Sequence, residues 1–145
     1  MKDICPWRIS QRLLDTTGRA LTVGDFRSFH DCLCLPVVVT TTKEKRAIDK
    51  PSDLREVFER VRWHRKKYNS LAKEREILYS AFFGHHTVLS VHSSSMRLSD
   101  SVVETSPLQC LSQIQFDGMS WRITEMHYDT ENNSDFSRAL NFQSS

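Results

Sequence analysis

The chain has 145 residues, 39% hydrophobic and 26% charged, which suits one soluble domain with a modest core. Its 20 Lys and Arg against 18 Asp and Glu leave a net charge of +2, too balanced to make a nucleic-acid-binding protein by charge alone. No apolar run approaches the roughly 20 residues of a membrane-spanning helix, and the stretch from Met1 to Arg8 lacks the apolar core of a secretion signal, so a cytoplasmic protein is expected.

From Pro6 to about Leu21, the residues Ile9, Leu13, Leu14 and Leu21 share one helical face. Gly18 weakens its middle, since glycine costs about 1 kcal/mol against alanine in a helix. Gly24 suits the C-terminal cap of this helix, and Asp25 the N-cap of the next. That second helix carries Phe26, Phe29 and Leu33 on one side and is expected to end at Leu35-Pro36, because a residue before proline is pushed out of the α region. The β-branched run Val37–Thr42 reads as a strand, and Arg46-Ala47-Ile48 as a short strand pairing back on it.

Pro51-Ser52-Asp53 opens the clearest helix, with Leu54, Val57, Phe58, Val61 and Tyr68 as its apolar stripe. After Asn69 the period changes. Strands are expected over Glu76–Phe83, Thr87–Leu98, Val102–Phe116 and Met119–Tyr128, separated by Gly84-His85-His86, Ser99-Asp100-Ser101 and the hairpin turn Asp117-Gly118. The strand Ile77–Phe83 is apolar on both faces, which calls for a cover on its outer side. A second subunit is the simplest one. The polar stretch 130–145 reads as a poorly ordered tail, apart from a helical turn at Phe136–Leu140, after a single domain over 1–129. Helices segregated from a run of antiparallel strands make the fold class α+β.

Two N-terminal helices broken at Gly24-Asp25 come first, followed by Leu35-Pro36-Val-Val-Val-Thr40 and by Pro51-x-Asp53-Leu54 opening a helix. The strands end in Gly118-Met-Ser-Trp121-Arg122-Ile123. In this order and spacing, the chain resembles the NTF2-like superfamily, and within it the small bacterial SnoaL-like proteins, over roughly residues 6–129. The resemblance implies a cystatin-like cone: three N-terminal helices packed on a curved antiparallel sheet, a pocket open at one end, and a homodimer through the outer sheet face. Members include cofactor-free isomerases, dehydratases and polyketide cyclases, and also non-catalytic ligand-binding and interaction modules, so the fold does not fix the function.

Acid–base chemistry needs a titratable group shielded from water. Regular alternation puts Tyr79 with Ile77, Ala81 and Phe83; His92 with Val88, Met96 and Leu98; and Glu125 and His127 with Trp121 and Ile123. Glu104 falls with Leu108, Cys110 and Ile114 unless a bulge flips it. Tyr79, His92, Glu125 and His127 are therefore the catalytic candidates. Glu125 and His127 form a carboxylate–imidazole pair at the pocket mouth if the Trp121 face is concave. The plainer readings are wet rim residues for that pair, and core groups with a hydrogen-bonded polar tip for Tyr79 and His92. Phe26, Phe29, Phe58, Trp121 and Ile123 are expected to line the pocket. The phenylalanines, with Phe82, are also large enough to fill it, as an interaction module would require.

Other features read as structure. Cys32 and Cys34 lack zinc-site spacing, and with Cys5 and Cys110 they read as small hydrophobes. Adjacent histidines on a strand point to opposite faces, so His85 and His86 do not make a metal site. No metal or cofactor is expected. Arg60 to Lys67, basic around Trp63, could hold phosphates. Glu56, Glu59, Glu74 and Glu76 dilute its field, which weighs against nucleic acid. The expected function is binding of a small, mostly apolar molecule in the cone, with an isomerase, dehydratase or cyclase, or a non-catalytic module, as alternatives.

Overall fold

In the computed structural model, residues 5–67, 72–97 and 108–129 are described. Pro6 opens α1 (Pro6–Val23), where a missing N–H costs nothing, and Gly24 closes it at φ 83° with its N–H on the Ala20 carbonyl at 2.8 Å. Asp25 restarts the chain as α2 (Phe26–Asp31). Its carboxylate accepts from the Ser28 N–H at 3.1 Å and the Ser28 hydroxyl at 2.7 Å, bonds that hold its pKa below the ordinary carboxylate value. The helix α3 (Pro51–Lys67) buries Leu54, Val57, Phe58 and Val61, as its spacing predicts. From α3, Arg62 donates to the Leu21 carbonyl at 3.0 Å. Its guanidinium lies against Gly24, where a Cβ would come within 2.8 Å, so the α1–α2 corner is tied to α3 through a residue without a side chain.

The strands are β1 (Leu33–Thr40), β2 (Lys45–Ile48), β3 (Ala72–Phe82), β4 (Thr87–Arg97), β5 (Leu108–Phe116) and β6 (Trp121–Asp129). They form one sheet in the order β2-β1-β6-β5-β4-β3. At the hairpin between β5 and β6, Asp117 Oδ1 accepts from the Met119 and Ser120 N–H groups at 2.9 Å each, and Gly118 takes φ 97°. Those bonds pull the Asp117 carboxyl below its ordinary pKa.

Two expectations are corrected. The sheet is mixed rather than purely antiparallel, because β1 pairs with β6 in parallel. The second helix ends before Cys32, and Leu33 and Pro36 already belong to β1. Proline is tolerated there because the β1–β6 register shifts between Leu33 and Val38, so no ladder bond depends on its missing N–H; the Leu35–Pro36 peptide is cis. The expectations for Tyr68, Leu98 to Pro107 with Glu104, and the tail 130–145 lie outside the described residues.

The helices α1, α2 and α3 pack on one face of the sheet around Leu33, Val37, Leu54, Phe58, Val88 and Ile114, each at most 2% exposed. Two bulges decide which side chains join them. The β3–β4 register shifts between Ile77 and Tyr79, and the β5–β6 register between Gln113 and Ile114, leaving Leu78 and Thr124 without a partner across their ladders. Each extra residue bends its strand and reverses the alternation beyond it.

Candidate functional site

Cross-strand pairing sets the inner face row by row. One row is Ile77, His92, Cys110 and Tyr128; the next is Ser80, Ser90, Ser112 and Met126; a third is Phe82, Val88, Ile114 and Ile123. Beyond the first row Arg75 pairs with Ser94. A belt of polar side chains thus crosses an otherwise apolar interior. Ser10, reaching in from α1, shares a 2.7 Å hydrogen bond with Ser80.

Between this face and the helices lies a cavity of about 80 Å³. Its walls include Leu13, Leu33, Val39 and Ile114, and its polar lining includes Arg75, His92, Ser90, Ser112, Thr17 and Tyr128. The volume equals roughly three waters at liquid density. Buried polar groups demand partners, and most here have one. Thr17 donates back to the Leu13 carbonyl at 2.8 Å, and Arg75 Nη1 donates to the Leu14 carbonyl at 2.9 Å and lies 3.3 Å from the Thr17 hydroxyl. Tyr128 lies with its hydroxyl 3.6 Å from the Met126 sulfur.

Gly18 explains itself here. A Cβ on it would stand 3.1 Å from Arg75 Nη1, so the glycine that weakens α1 also gives the guanidinium its seat. Burial pushes the Arg75 pKa down from the ordinary guanidinium value, with Tyr128, Cys110 and Asp15 acting in the opposite sense. Burial also pushes the Cys110 thiol up to about 11, against hydrogen bonds from Ser112 and Tyr128.

No protein-family model matches this chain, and no curated protein does. Solved structures do match. An NTF2-like protein of unknown function from Shewanella oneidensis aligns at a TM-score of 0.62 and 13% identity, over 86% of this chain and 99% of that one. An NTF2-like protein with a cystatin-like fold from Novosphingobium aromaticivorans aligns at 0.65 and 8% identity, over 94% and 90%. A ketosteroid isomerase-like protein from Erwinia carotovora aligns at 0.59 and 12%, over 84% and 93%. The chain has the NTF2-like, cystatin-like fold.

Within that NTF2-like cone the four catalytic candidates separate. His92 is buried and lines the cavity. Tyr79 lies beyond the β3 bulge on the outer face and is 59% exposed. The β6 bulge at Thr124 does the same to Glu125 and His127: Ile123 faces inward before it, Met126 and Tyr128 after it. Glu125 and His127 do meet, at 3.5 Å from Oε1 to Nε2, but on the outer face, each partly exposed. The expectation that they share the face of Trp121 and Ile123 is corrected, because it assumed unbroken alternation.

Of the expected lining residues, Phe29 and Ile123 touch the cavity. Phe26 and Phe58 do not; Phe26 packs on Phe58 with ring centroids 5.4 Å apart, and Phe29 also touches Phe58 at 5.0 Å, filling the α2–α3 side. Trp121 packs between Phe116 at 5.3 Å and Phe82 at 6.2 Å near the β5–β6 hairpin. Arg75, Tyr128 and the serines are the site residues that the sequence reading missed. One signal was available: Ser90, His92 and Ser94 alternate with Leu89, Val91 and Ser93, a polar stripe on one face of a strand whose other face begins apolar.

Proposed function

We propose that this NTF2-like protein binds a small, mostly apolar molecule inside its cone. The cavity supports this reading: it is walled chiefly by aliphatic side chains yet crossed by a belt of hydrogen-bonding groups, the composition of sites that bury a ligand and orient it. Its size bears on the ligand. At about 80 Å³ it is well below the roughly 300 Å³ at which pockets for drug-sized molecules begin, which favours a ligand of only a few heavy atoms. The reading keeps the cytoplasmic location expected from the sequence.

The test is a set of small apolar and amphipathic compounds, read by melting temperature and by amide chemical shifts. Binding is expected to move resonances of Ile123, Met126 and His92. Ser112→Leu, which puts bulk into the cavity, is expected to abolish binding while the protein still melts cooperatively. Shifts confined to the outer face would overturn the reading.

A catalytic alternative rests on His92, the one sequence candidate facing the cavity, with Tyr128 in the same cross-strand row on the far side of Cys110. His92→Gln abolishing turnover of an identified ligand would support it.

A second copy of the chain is the proposed cover for the outer sheet face. Leu78, Tyr79 and Leu111 stand there 50%, 59% and 40% exposed, and Tyr79, Val91 and Leu111 form a continuous cross-strand row. Sedimentation is expected to show a dimer that Tyr79→Glu converts to a folded monomer. A monomeric wild type at high concentration would remove this part.

A further inference from the structure

We propose that the cone's ligand is a short-chain monocarboxylate whose head group pairs with Arg75 and Ser94 while its tail occupies the aliphatic wall. This rests on the reading of the cavity as a binding site and names the chemical class that fits it.

Arg75 lines the cavity, yet among the described residues no Asp or Glu forms an ion pair with it. One edge of its guanidinium is anchored: Nη1 donates to the Leu14 carbonyl, and the gap at Gly18 admits it. Nε, on the other side of the planar group, is buried and has no acceptor among the described residues. Ser94, the cross-strand partner of Arg75 and 5% exposed, has a buried Oγ in the same condition.

A buried cation with no ion-pair partner is costly, and an orphaned buried N–H adds to that, so the Nε edge of Arg75, with the Ser94 hydroxyl across the ladder, is a standing demand for an acceptor. The acceptor that matches the Nε edge of a guanidinium is a carboxylate, through paired N–H···O bonds, with a hydroxyl donor to spare. One guanidinium balances one negative charge, which favours a monoanion over a phosphate dianion. The volume of about 80 Å³ admits only a few carbons behind the head group, and the aliphatic side chains of Leu13 and Ile77 favour a hydrocarbon tail.

Propionate is the probe, with propionamide, nearly the same shape but neutral, as its control. Wild-type protein is titrated with each at neutral pH, following melting temperature and the Arg75 Nε–Hε resonance. Propionate is expected to raise the melting temperature, to move that resonance to saturation, and to bind at least about tenfold more tightly than propionamide. In Arg75→Met the preference is expected to vanish. Because a buried unpaired cation is replaced by an apolar chain of similar length, the variant is expected to fold. Ser94→Ala is expected to weaken propionate a few-fold and leave propionamide unchanged, and it carries the test should Arg75→Met not fold.

Equal binding of the two probes, or propionate binding that neither substitution weakens, overturns the carboxylate assignment and leaves cavity binding standing. If neither these nor any other small apolar probe reaches the cavity residues, the binding reading itself fails, and this inference with it.

Discussion

Along β4, beyond the fully buried Val88, the two faces of the sheet depart from the usual arrangement. Its inner face carries Ser90, His92 and Ser94, while Leu89 and Val91 face outward. On β3 the outer face holds Leu78 and Tyr79, half-exposed, and the inner face holds Arg75 and Ser80. Burying polar groups under helices while leaving apolar ones exposed makes no sense for stability alone, since each buried polar group must find a partner and each exposed apolar one gains nothing. The contrast underlies the two proposals: a ligand at the polar-lined inner face, and a second copy over the apolar part of the outer one.

Neighbouring positions on β6 test this contrast most severely. Met126 faces inward and His127 outward, rather than the reverse, because of the bulge at Thr124. Met126→Lys puts a second cation into the cavity that Arg75 lines and is expected to cost about 3–5 kcal/mol in urea denaturation, whereas His127→Lys is expected to stay within about 0.5 kcal/mol in a monomer. Swapped magnitudes would mean that the bulge is absent.

Next in size is a pair on β5. Ile114→Ala, at a side chain 2% exposed, is expected to cost about 3 kcal/mol, and Leu111→Ala less than about 1 kcal/mol in a monomer. A larger, concentration-dependent cost at Leu111 would sharpen the comparison by showing its face covered.

Smaller still is the change expected at Gly18. An ordinary helix-interior Gly→Ala gains about 1 kcal/mol, but here the added Cβ presses on Arg75 Nη1. Gly18→Ala is therefore expected to gain little or nothing, read by the shift in urea midpoint. A full gain would show that the Arg75 seat is loose.

Thiol chemistry should follow the same division. Cys32 and Cys110, buried and raised to about 11, are expected to resist alkylation at pH 8 while exposed Cys5 reacts, as mass spectrometry of the labelled peptides would show.

The smallest expected effect lies at the exposed turn that joins β5 to β6. Because the folded pKa of Asp117 lies below its ordinary 3.8, its contribution to stability is present above 3.8 and lost as pH falls through the lowered value. The melting-temperature difference between wild type and Asp117→Ala should accordingly be complete at neutral pH and shrink once the medium is more acidic than 3.8.

Periodicity and turn chemistry are local, and for that reason the sequence alone determined most of the elements. The stripe of α3, the Gly24–Asp25 corner, the β1–β2 hairpin and the Asp117–Gly118 turn each depend on residues within a few positions of one another. Their order was enough to reach an α+β fold of NTF2-like type. The parallel pairing of β1 with β6 was not legible, since it joins segments some 90 residues apart whose contact no local pattern encodes.

Tertiary structure alone decided the site. A bulge is one unpaired residue with no composition of its own, and Leu78 and Thr124 look like any strand residues. Yet each reverses every side chain beyond it. Reading through them as regular strand selected Tyr79, Glu125 and His127. The folded sheet turns those three outward and brings Arg75, Ser90, Ser112 and Tyr128 to the cavity that His92 lines.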